Sequence, residues 1–329
     1  MRKKIAINGF GRIGRLTLRN LVLREDVEIV AINDLADAAT LAHLFEFDSS
    51  HRRFNGTVAV DGTNLIVNGV TIPTYAKRNP ENLPWEELGV DVVIESTGIF
   101  RKREQAMLHV KAGAKHVLLS APSKSEGIPT IVKGVNDHIL TGNDVIVSNA
   151  SCTTNCLAPL VKIIDENWGL KHGYMSTIHA YTANQKIQDA PHSDLRRARA
   201  AAVNMIPTST GAAKALALVY PEAKGKISAS CIRVPVATGS LVELMCVLDK
   251  STNAETVNAT FKAASEAGLK GVLEYSEKPL VSTDIVSSPY SSIFDAPLTT
   301  MHHGMLKVTA WYDNEAGYSA RLSELATML

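Results

Sequence analysis

Short apolar runs alternate with helix-length amphipathic stretches through the first half of the chain. Ile5-Ala6-Ile7-Asn8 predicts a buried strand, and a helical pattern follows from Gly14 through Leu23. Glu28–Asn33 and Asp91–Glu95 predict further strands, the latter followed by a helix over Arg103–Ala112, and His116–Leu119 another. Strands separated by helices predict a parallel sheet with helices on its faces. Asp144-Val145-Ile146-Val147 is β-branched and apolar, and Leu157–Ile164 has the pattern of a helix. Beyond it come a strand over Gly173–Ile178 and a helix over Ala212–Val219. Longer strands over Ile227–Val236, Ser240–Leu248 and Leu306–Tyr312 suit one largely antiparallel sheet. The chain thus reads as α/β: a doubly wound parallel sheet in residues 1–149, an α+β domain in 150–313, and a C-terminal helix within 314–329 packing back on the first domain.

The turn after the first strand is Gly9-Phe10-Gly11-Arg12-Ile13-Gly14, a G-x-G-x-x-G between a strand and a helix. Glycines there permit a tight turn and close approach of the backbone to a pyrophosphate resting on the helix N-terminus. Asp34 ends the second strand, 20 residues after Gly14, where an acidic residue grips the adenosine ribose hydroxyls of a Rossmann-type domain. A carboxylate about 4 Å from a 2′-phosphate is repelled by roughly 1 kcal/mol per unit charge in water and about 4 at an effective dielectric near 20. NAD is therefore favoured, and NADP use is possible but disfavoured. Ser96-Thr97-Gly98 and Ser120-Ala121-Pro122 close two strands with small residues that leave room for a ligand.

Ser148-Asn149-Ala150-Ser151-Cys152-Thr153-Thr154-Asn155-Cys156 places a cysteine where a strand gives way to a helix. Helix N-termini favour anions, so a thiol there is biased toward thiolate. Cysteines are also buried as small hydrophobes, and Cys152 with Cys156 has the look of a metal or disulfide pair. A metal site wants more ligands than this stretch supplies, and four cysteines in 329 residues suit a reducing compartment. No metal site is expected. With 45% apolar residues the chain can bury a large core, and a net charge of +1 offers no general field for nucleic acid or an anionic membrane. The N-terminus lacks the apolar run of a signal peptide, and a cytoplasmic protein is expected.

His179, in His179-Ala180-Tyr181-Thr182, closes a strand beyond the cysteine helix. A lone histidine is more often structural than catalytic, but this one is placed to meet Cys152. Together with Asp194–Ala200, Pro207–Lys214, Arg233-Val234-Pro235 and Trp311-Tyr312-Asp313-Asn314-Glu315, these motifs resemble the phosphorylating glyceraldehyde-3-phosphate dehydrogenase family over essentially the whole length. The resemblance implies Cys152 as nucleophile and His179 as its partner in a catalytic second domain. Beside Gly9, Gly11 and Gly14 of the glycine turn, it assigns Arg12, Ile13, Asp34, Arg78, Ser120 and Asn314 to NAD, with Asn314 on the nicotinamide carboxamide. Ser151, Thr153, Thr182, Arg197, Thr210, Gly211 and Arg233 would line two anion pockets, for the substrate phosphate and for inorganic phosphate. Arginines suit bidentate phosphate contacts, although Arg196, Arg197 and Arg199 would otherwise read as solvated or subunit-interface charges.

The chemistry implied is oxidation of glyceraldehyde 3-phosphate through a thioester on Cys152, released by inorganic phosphate, in a homotetramer that binds neither nucleic acid nor membrane. Lowering a thiol pKa from about 8.5 to about 5.5 raises its thiolate fraction at pH 7 from roughly 3% to roughly 97%. A Brønsted slope of about 0.4–0.5 then cuts nucleophilicity by about 15–30-fold, so the two effects nearly cancel. His179 is worth more as a proton acceptor during hydride transfer and in making thiolate a better leaving group. The rival readings are erythrose-4-phosphate dehydrogenase and a dinucleotide-sensing protein without turnover. The chain departs from the family pattern at Ala316, where Trp is common, at Arg52, where glycine is usual, and at Val236-Ala237-Thr238-Gly239. Ala190-Pro191 is a mixed pair between those of NAD- and NADP-using relatives.

Overall fold

The computed structural model describes residues 2–329, in two compact units. One runs to Ile131 and includes His138–Ala150 and Ser319–Leu329; the other comprises Val132–Asp137 and Ser151–Tyr318. The short stretch Val132–Asp137 groups with the second unit although it precedes the strand Ile146–Ser148 of the first.

In the first unit, β1 (Lys3–Asn8), α1 (Arg12–Leu21), β2 (Val27–Asn33) and α2 (Ala38–Glu46) open the chain. A small antiparallel sheet follows, of β3 (Val58–Asp61), β4 (Asn64–Val67) and β5 (Val70–Ile72). Then come β6 (Thr74–Tyr75), α3 (Trp85–Leu88), β7 (Val92–Glu95), α4 (Arg103–Lys111), β8 (His116–Leu119) and β9 (Ile146–Ser148). Six strands form one parallel sheet in the order β6-β2-β1-β7-β8-β9. Ile5, Ala6 and Ile7 are each fully buried, which explains why this strand is apolar without alternation. Ile5 and Ile7 face a core with Leu18, Phe45, Ile94 and Leu118, joined by Leu322, Leu325 and Ala326 near the chain's end. Ala6 faces the opposite core with Val30, Trp85 and Val93. Arg52, the departure from a usual glycine, stands at φ 67°, a left-handed backbone that strains a side-chain-bearing residue.

The second unit begins with α5 (Cys152–Trp168), followed by β10 (Leu170–Ala180), β11 (Ile206–Thr208), α6 (Ala212–Val219), β12 (Ile227–Val234) and β13 (Ser240–Leu248). It continues through α7 (Ala254–Glu266), β14 (Leu273–Ser276), β15 (Ser292–Asp295), β16 (Thr300–His302) and β17 (Met305–Tyr312), and the chain closes with α8 (Ala316–Met328). Its eight strands run β11-β12-β10-β13-β17-β15-β14, with β16 on β17. The sheet is mixed: β10 with β12 and β14 with β15 pair parallel, and the other pairs are antiparallel. β13 alternates buried and half-buried positions with period two, and α5 packs over β10, β13, β15 and β17. Among the described residues no helix is long and apolar enough to cross a membrane.

Candidate active site

In the first unit the carboxyl ends of β1, β2 and β7 border a cavity of about 450 Å³. It is lined by Gly9, Gly11, Asp34 and Arg78, together with Asn8, Asn33, Leu35, Lys77, Ser96, Thr97, Ile99 and Phe100. Gly11 takes the N-cap position of α1, where no side chain caps the helix and an added Cβ would meet nothing within 4 Å. Gly14 packs so closely that a Cβ would collide with the carbonyl oxygen of Gly9. The glycines thus leave an open, amide-lined helix tip suited to a pyrophosphate. Asp34 is held at the rim, its carboxylate accepting from the amides of Phe10 (2.7 Å) and Ala36 (3.1 Å).

A buried polar chain forms the floor. Trp85 Nε1 donates to His109 Nδ1 (3.0 Å), which places the imidazole proton on Nε2, 3.0 Å from Glu95 Oε2. Glu95 also accepts from Asn8 Nδ2 (2.5 Å) and from the Thr97 amide (2.9 Å) and hydroxyl. Asn33 Nδ2 donates to Asn8 Oδ1 (2.7 Å), and Asn33 Oδ1 accepts from the Lys77 amide (2.8 Å).

In the second unit Cys152 is the first residue of α5, and Ser151 is its N-cap, with Oγ accepting from the Thr154 amide at 3.1 Å. Ala150 precedes it at φ 55°, a strained left-handed residue on the approach to the helix. Cys152 Sγ lies 3.5 Å from His179 Nε2. His179 is 3% exposed, near the end of β10, with Nδ1 2.6 Å from the Ala180 carbonyl oxygen and 2.8 Å from Arg233 Nη1. Arg233 is the register partner of His179 on β12 and also donates to the Ala180 carbonyl (3.0 Å). Burial and the Arg233 charge bring the His179 pKa down to about 3.

The thiolate bias expected from the helix tip is overturned for the thiol on its own. Burial pushes the Cys152 pKa up, and the Arg233 charge and hydrogen bonds from Thr153 only partly offset it. Neither group charges readily by itself. A thiolate and an imidazolium about 3.5 Å apart attract by about 5 kcal/mol at an effective dielectric near 20, so the two titrate as a unit.

Residues 3–103 match the family described as Glyceraldehyde 3-phosphate dehydrogenase, NAD binding domain, and residues 151–314 match Glyceraldehyde 3-phosphate dehydrogenase, C-terminal domain. The chain is 54% identical to a glyceraldehyde-3-phosphate dehydrogenase of Geobacillus stearothermophilus, over 100% of this chain and 98% of that one. It is 53% identical to glyceraldehyde-3-phosphate dehydrogenase 1 of Bacillus subtilis, with the same coverage. For the Mycolicibacterium smegmatis enzyme of that name the identity is 52%, over 99% and 98%. The chain belongs to the glyceraldehyde-3-phosphate dehydrogenase family.

Of the residues that this family resemblance singled out, the structure sets Cys152, His179 and Arg233 in one row, with the Ala180 carbonyl accepting from Arg233 beside the His179 ring. Arg197 stands beside them: its Nε donates to Thr208 Oγ1 (2.8 Å) and Nη2 to the Ser209 carbonyl (3.2 Å). Thr208 pairs with Cys231, two residues from Arg233, so both arginines serve the same face of the β11–β12 ladder. Gly211 is the N-cap of α6 and carries no side-chain cap, although Thr210 Oγ1 accepts from the Ala212 amide (3.2 Å). Thr153 turns its hydroxyl to Tyr312 (2.9 Å), so an anion contact from it would run through the main chain. Thr182 lies beyond the end of β10, its amide on Gln185 Oε1 (3.3 Å).

Arg12 likewise commits its guanidinium elsewhere, to Asp48 (2.6 Å) and His51 (3.1 Å). Ile13 packs on the core, and Ser120 follows β8 with its amide on the Glu95 carbonyl, outside the cavity lining. Asn314 Oδ1 accepts from Ser240 (2.8 Å).

Sequence reasoning passed over Tyr312 and Ser240. Tyr312 stands edge-on to His179, its hydroxyl 2.9 Å from both Thr153 and Thr177. Burial pushes its pKa well above the ordinary value, so it stays protonated. Its place beside Asp313-Asn314 was the only sequence signal. Leu35, Lys77, Ile99 and Phe100 were passed over too, because nothing local marks a residue as lining a cavity formed by three strands.

Proposed function

We propose that this chain oxidises glyceraldehyde 3-phosphate to 1,3-bisphosphoglycerate with NAD and inorganic phosphate, using Cys152 as the nucleophile and His179 as the base. The observation that carries the reading is the 3.5 Å approach of Cys152 Sγ to His179 Nε2 at the tip of α5. The Cys152 sulfur adds to the aldehyde carbon and gives a hemithioacetal, whose oxygen faces the amides of the helix tip. With its ring proton on Nδ1, donated to the Ala180 carbonyl, His179 then takes the hydroxyl proton on Nε2 while the carbon loses hydride and becomes a thioester. Bound NAD supplies the hydride acceptor. Inorganic phosphate attacks the thioester carbon, and Cys152 leaves as thiolate, paired with the imidazolium. Arg197 and Arg233 hold the two phosphates, aided by the uncapped start of α6.

The open helix tip at Gly11 fits the pyrophosphate of a dinucleotide, and Asp34, anchored at the cavity rim, favours NAD over NADP. Asn314 holds the nicotinamide carboxamide. Ile187, Leu195, Val203 and Met205 are largely exposed apolar side chains within a short segment, which supports assembly into a homotetramer. Four free cysteines suit the cytoplasm.

The test is NADH formation from glyceraldehyde 3-phosphate with and without inorganic phosphate, compared with erythrose 4-phosphate and with NADP. Phosphate-dependent turnover of the three-carbon substrate is expected. Phosphate-independent turnover, or preference for erythrose 4-phosphate, overturns the reading. With phosphate withheld, an acyl adduct on Cys152 is expected by mass spectrometry, and none in Cys152→Ser.

A further inference from the structure

Residues 236–239 are where this chain departs from its family's pattern, they lead into Ser240, which keeps it, and the departure has a structural role. Gly239 stands at φ 92°, and a Cβ there would collide with the Ser282 carbonyl oxygen, so only glycine fits. On either side of it, two buried hydroxyls grip two consecutive residues. Thr238 Oγ1 donates to Asp313 Oδ1 and Ser240 Oγ to Asn314 Oδ1, each at 2.8 Å. Asp313 also accepts from the amides of Glu315 (2.9 Å), Ala316 (3.0 Å) and Ser287 (2.8 Å), which pins the backbone next to Asn314. Ser240 is 1% exposed, and its oxygen accepts from the amide of Ala180, the residue after His179, at 3.1 Å.

We propose that Ser240 is a positioning residue that fixes which end of the Asn314 carboxamide meets the nicotinamide and couples that choice to the strand end bearing His179. This rests on Asn314 being the nicotinamide contact. A serine hydroxyl has one proton and two lone pairs. One lone pair takes the Ala180 N–H, and the proton goes to Asn314 Oδ1. Turning the amide over would bring its NH2 onto the second lone pair and leave the buried hydroxyl proton without the acceptor it has in Oδ1. Asn314 is therefore held with Nδ2 outward, as a donor. It selects a carbonyl oxygen on the pyridine ring over a weaker acceptor such as a thiocarbonyl sulfur.

The experiment measures kcat/KM for NAD and for thionicotinamide adenine dinucleotide in the wild type, Ser240→Ala, Ser240→Cys, Ser240→Thr and Asn314→Ala, with the thermal midpoint of each. Ser240→Ala, and the nearly isosteric Ser240→Cys, should narrow the preference for NAD by about 3- to 10-fold, the worth of one neutral hydrogen bond. Ser240→Thr keeps the hydroxyl and should keep the preference. A merely structural role would lower both values together and leave their ratio alone. If Asn314→Ala narrows the ratio while a folded Ser240→Ala or Ser240→Cys does not, the role of Ser240 is overturned. If Asn314→Ala leaves the ratio unchanged, the assignment of Asn314 itself falls, and this proposal with it.

Discussion

Replacing Arg233 by Gln in a Cys152→Ser background isolates the electrostatics of His179, because no thiolate remains to pair with it. Arg233 Nη1 sits 2.8 Å from His179 Nδ1, so an imidazolium there forms beside a guanidinium. For charges about 4 Å apart at an effective dielectric near 20 the repulsion is about 4 kcal/mol, or about 3 pKa units. Arg233 is half-buried, and solvent screening reduces that to about 1–2 units. His179 should therefore titrate at about 3 in Cys152→Ser and move up by about 1–2 units when Arg233→Gln is added. The assay is a titration of histidine ring resonances by NMR, assigned with His179→Asn. The sign for stability follows from the same shift. The folded-state pKa lies below the unfolded one, so neutral His179 favours the fold above about pH 6.5. That contribution is lost as pH falls from about 6.5 toward 3. Arg233→Gln should flatten this loss by raising the lower bound. In Cys152-containing enzyme, glyceraldehyde without its phosphate separates this effect from phosphate binding. With that substrate the acid limb of the hydride-transfer rate should move to higher pH in Arg233→Gln, because a more basic imidazole needs a higher pH to be free to accept a proton. A His179 that titrates near 6.5 in Cys152→Ser, unmoved by the arginine, would refute the reasoning.

Three further outcomes are expected. Asp34→Ser takes away a carboxylate at the cavity rim that, on the proposed reading, repels a 2′-phosphate, and should raise kcat/KM for NADP relative to NAD by about tenfold or more in steady-state assays. Arg52→Gly relieves a side chain held at φ 67° and should raise stability by about 1 kcal/mol, read as a higher thermal midpoint. His109→Leu strands the Trp85 indole N–H and takes a donor from the buried Glu95 carboxylate. It should cost about 2–4 kcal/mol by urea denaturation, whereas His109→Gln, which can still accept and donate, should lose less.

Much of this fold is written in local pattern. Continuous apolar strands separated by helices suffice for the parallel sheet, because a strand buried on both faces leaves no polar alternation. The glycine turn and the cap Ser151 beside Cys152 are likewise legible, since each acts on backbone within a few residues of itself; Asp34 is marked by its place at the end of β2, although it also holds the amide of Phe10, 24 residues away. The pairing within the second sheet was less legible. Length and apolarity identify Ile227–Val236, two residues longer than the strand that forms, and Ser240–Leu248 as strands, but not that β12 runs parallel to β10 and β13 antiparallel to it.

Local sequence alone was enough to mark the candidates for the chemistry: a cysteine at a helix start, a histidine closing a strand, arginines able to hold phosphate. Their electrical state and orientation come from contacts made in the folded chain. Arg233 depresses the basicity of His179 because parallel pairing sets them side by side, 54 residues apart in the chain. Ser240 turns Asn314 because a glycine-dependent bend brings residues 74 apart within hydrogen-bond range. The helix tip alone argued for a thiolate, but burial of the sulfur opposes it, and no local pattern reports burial.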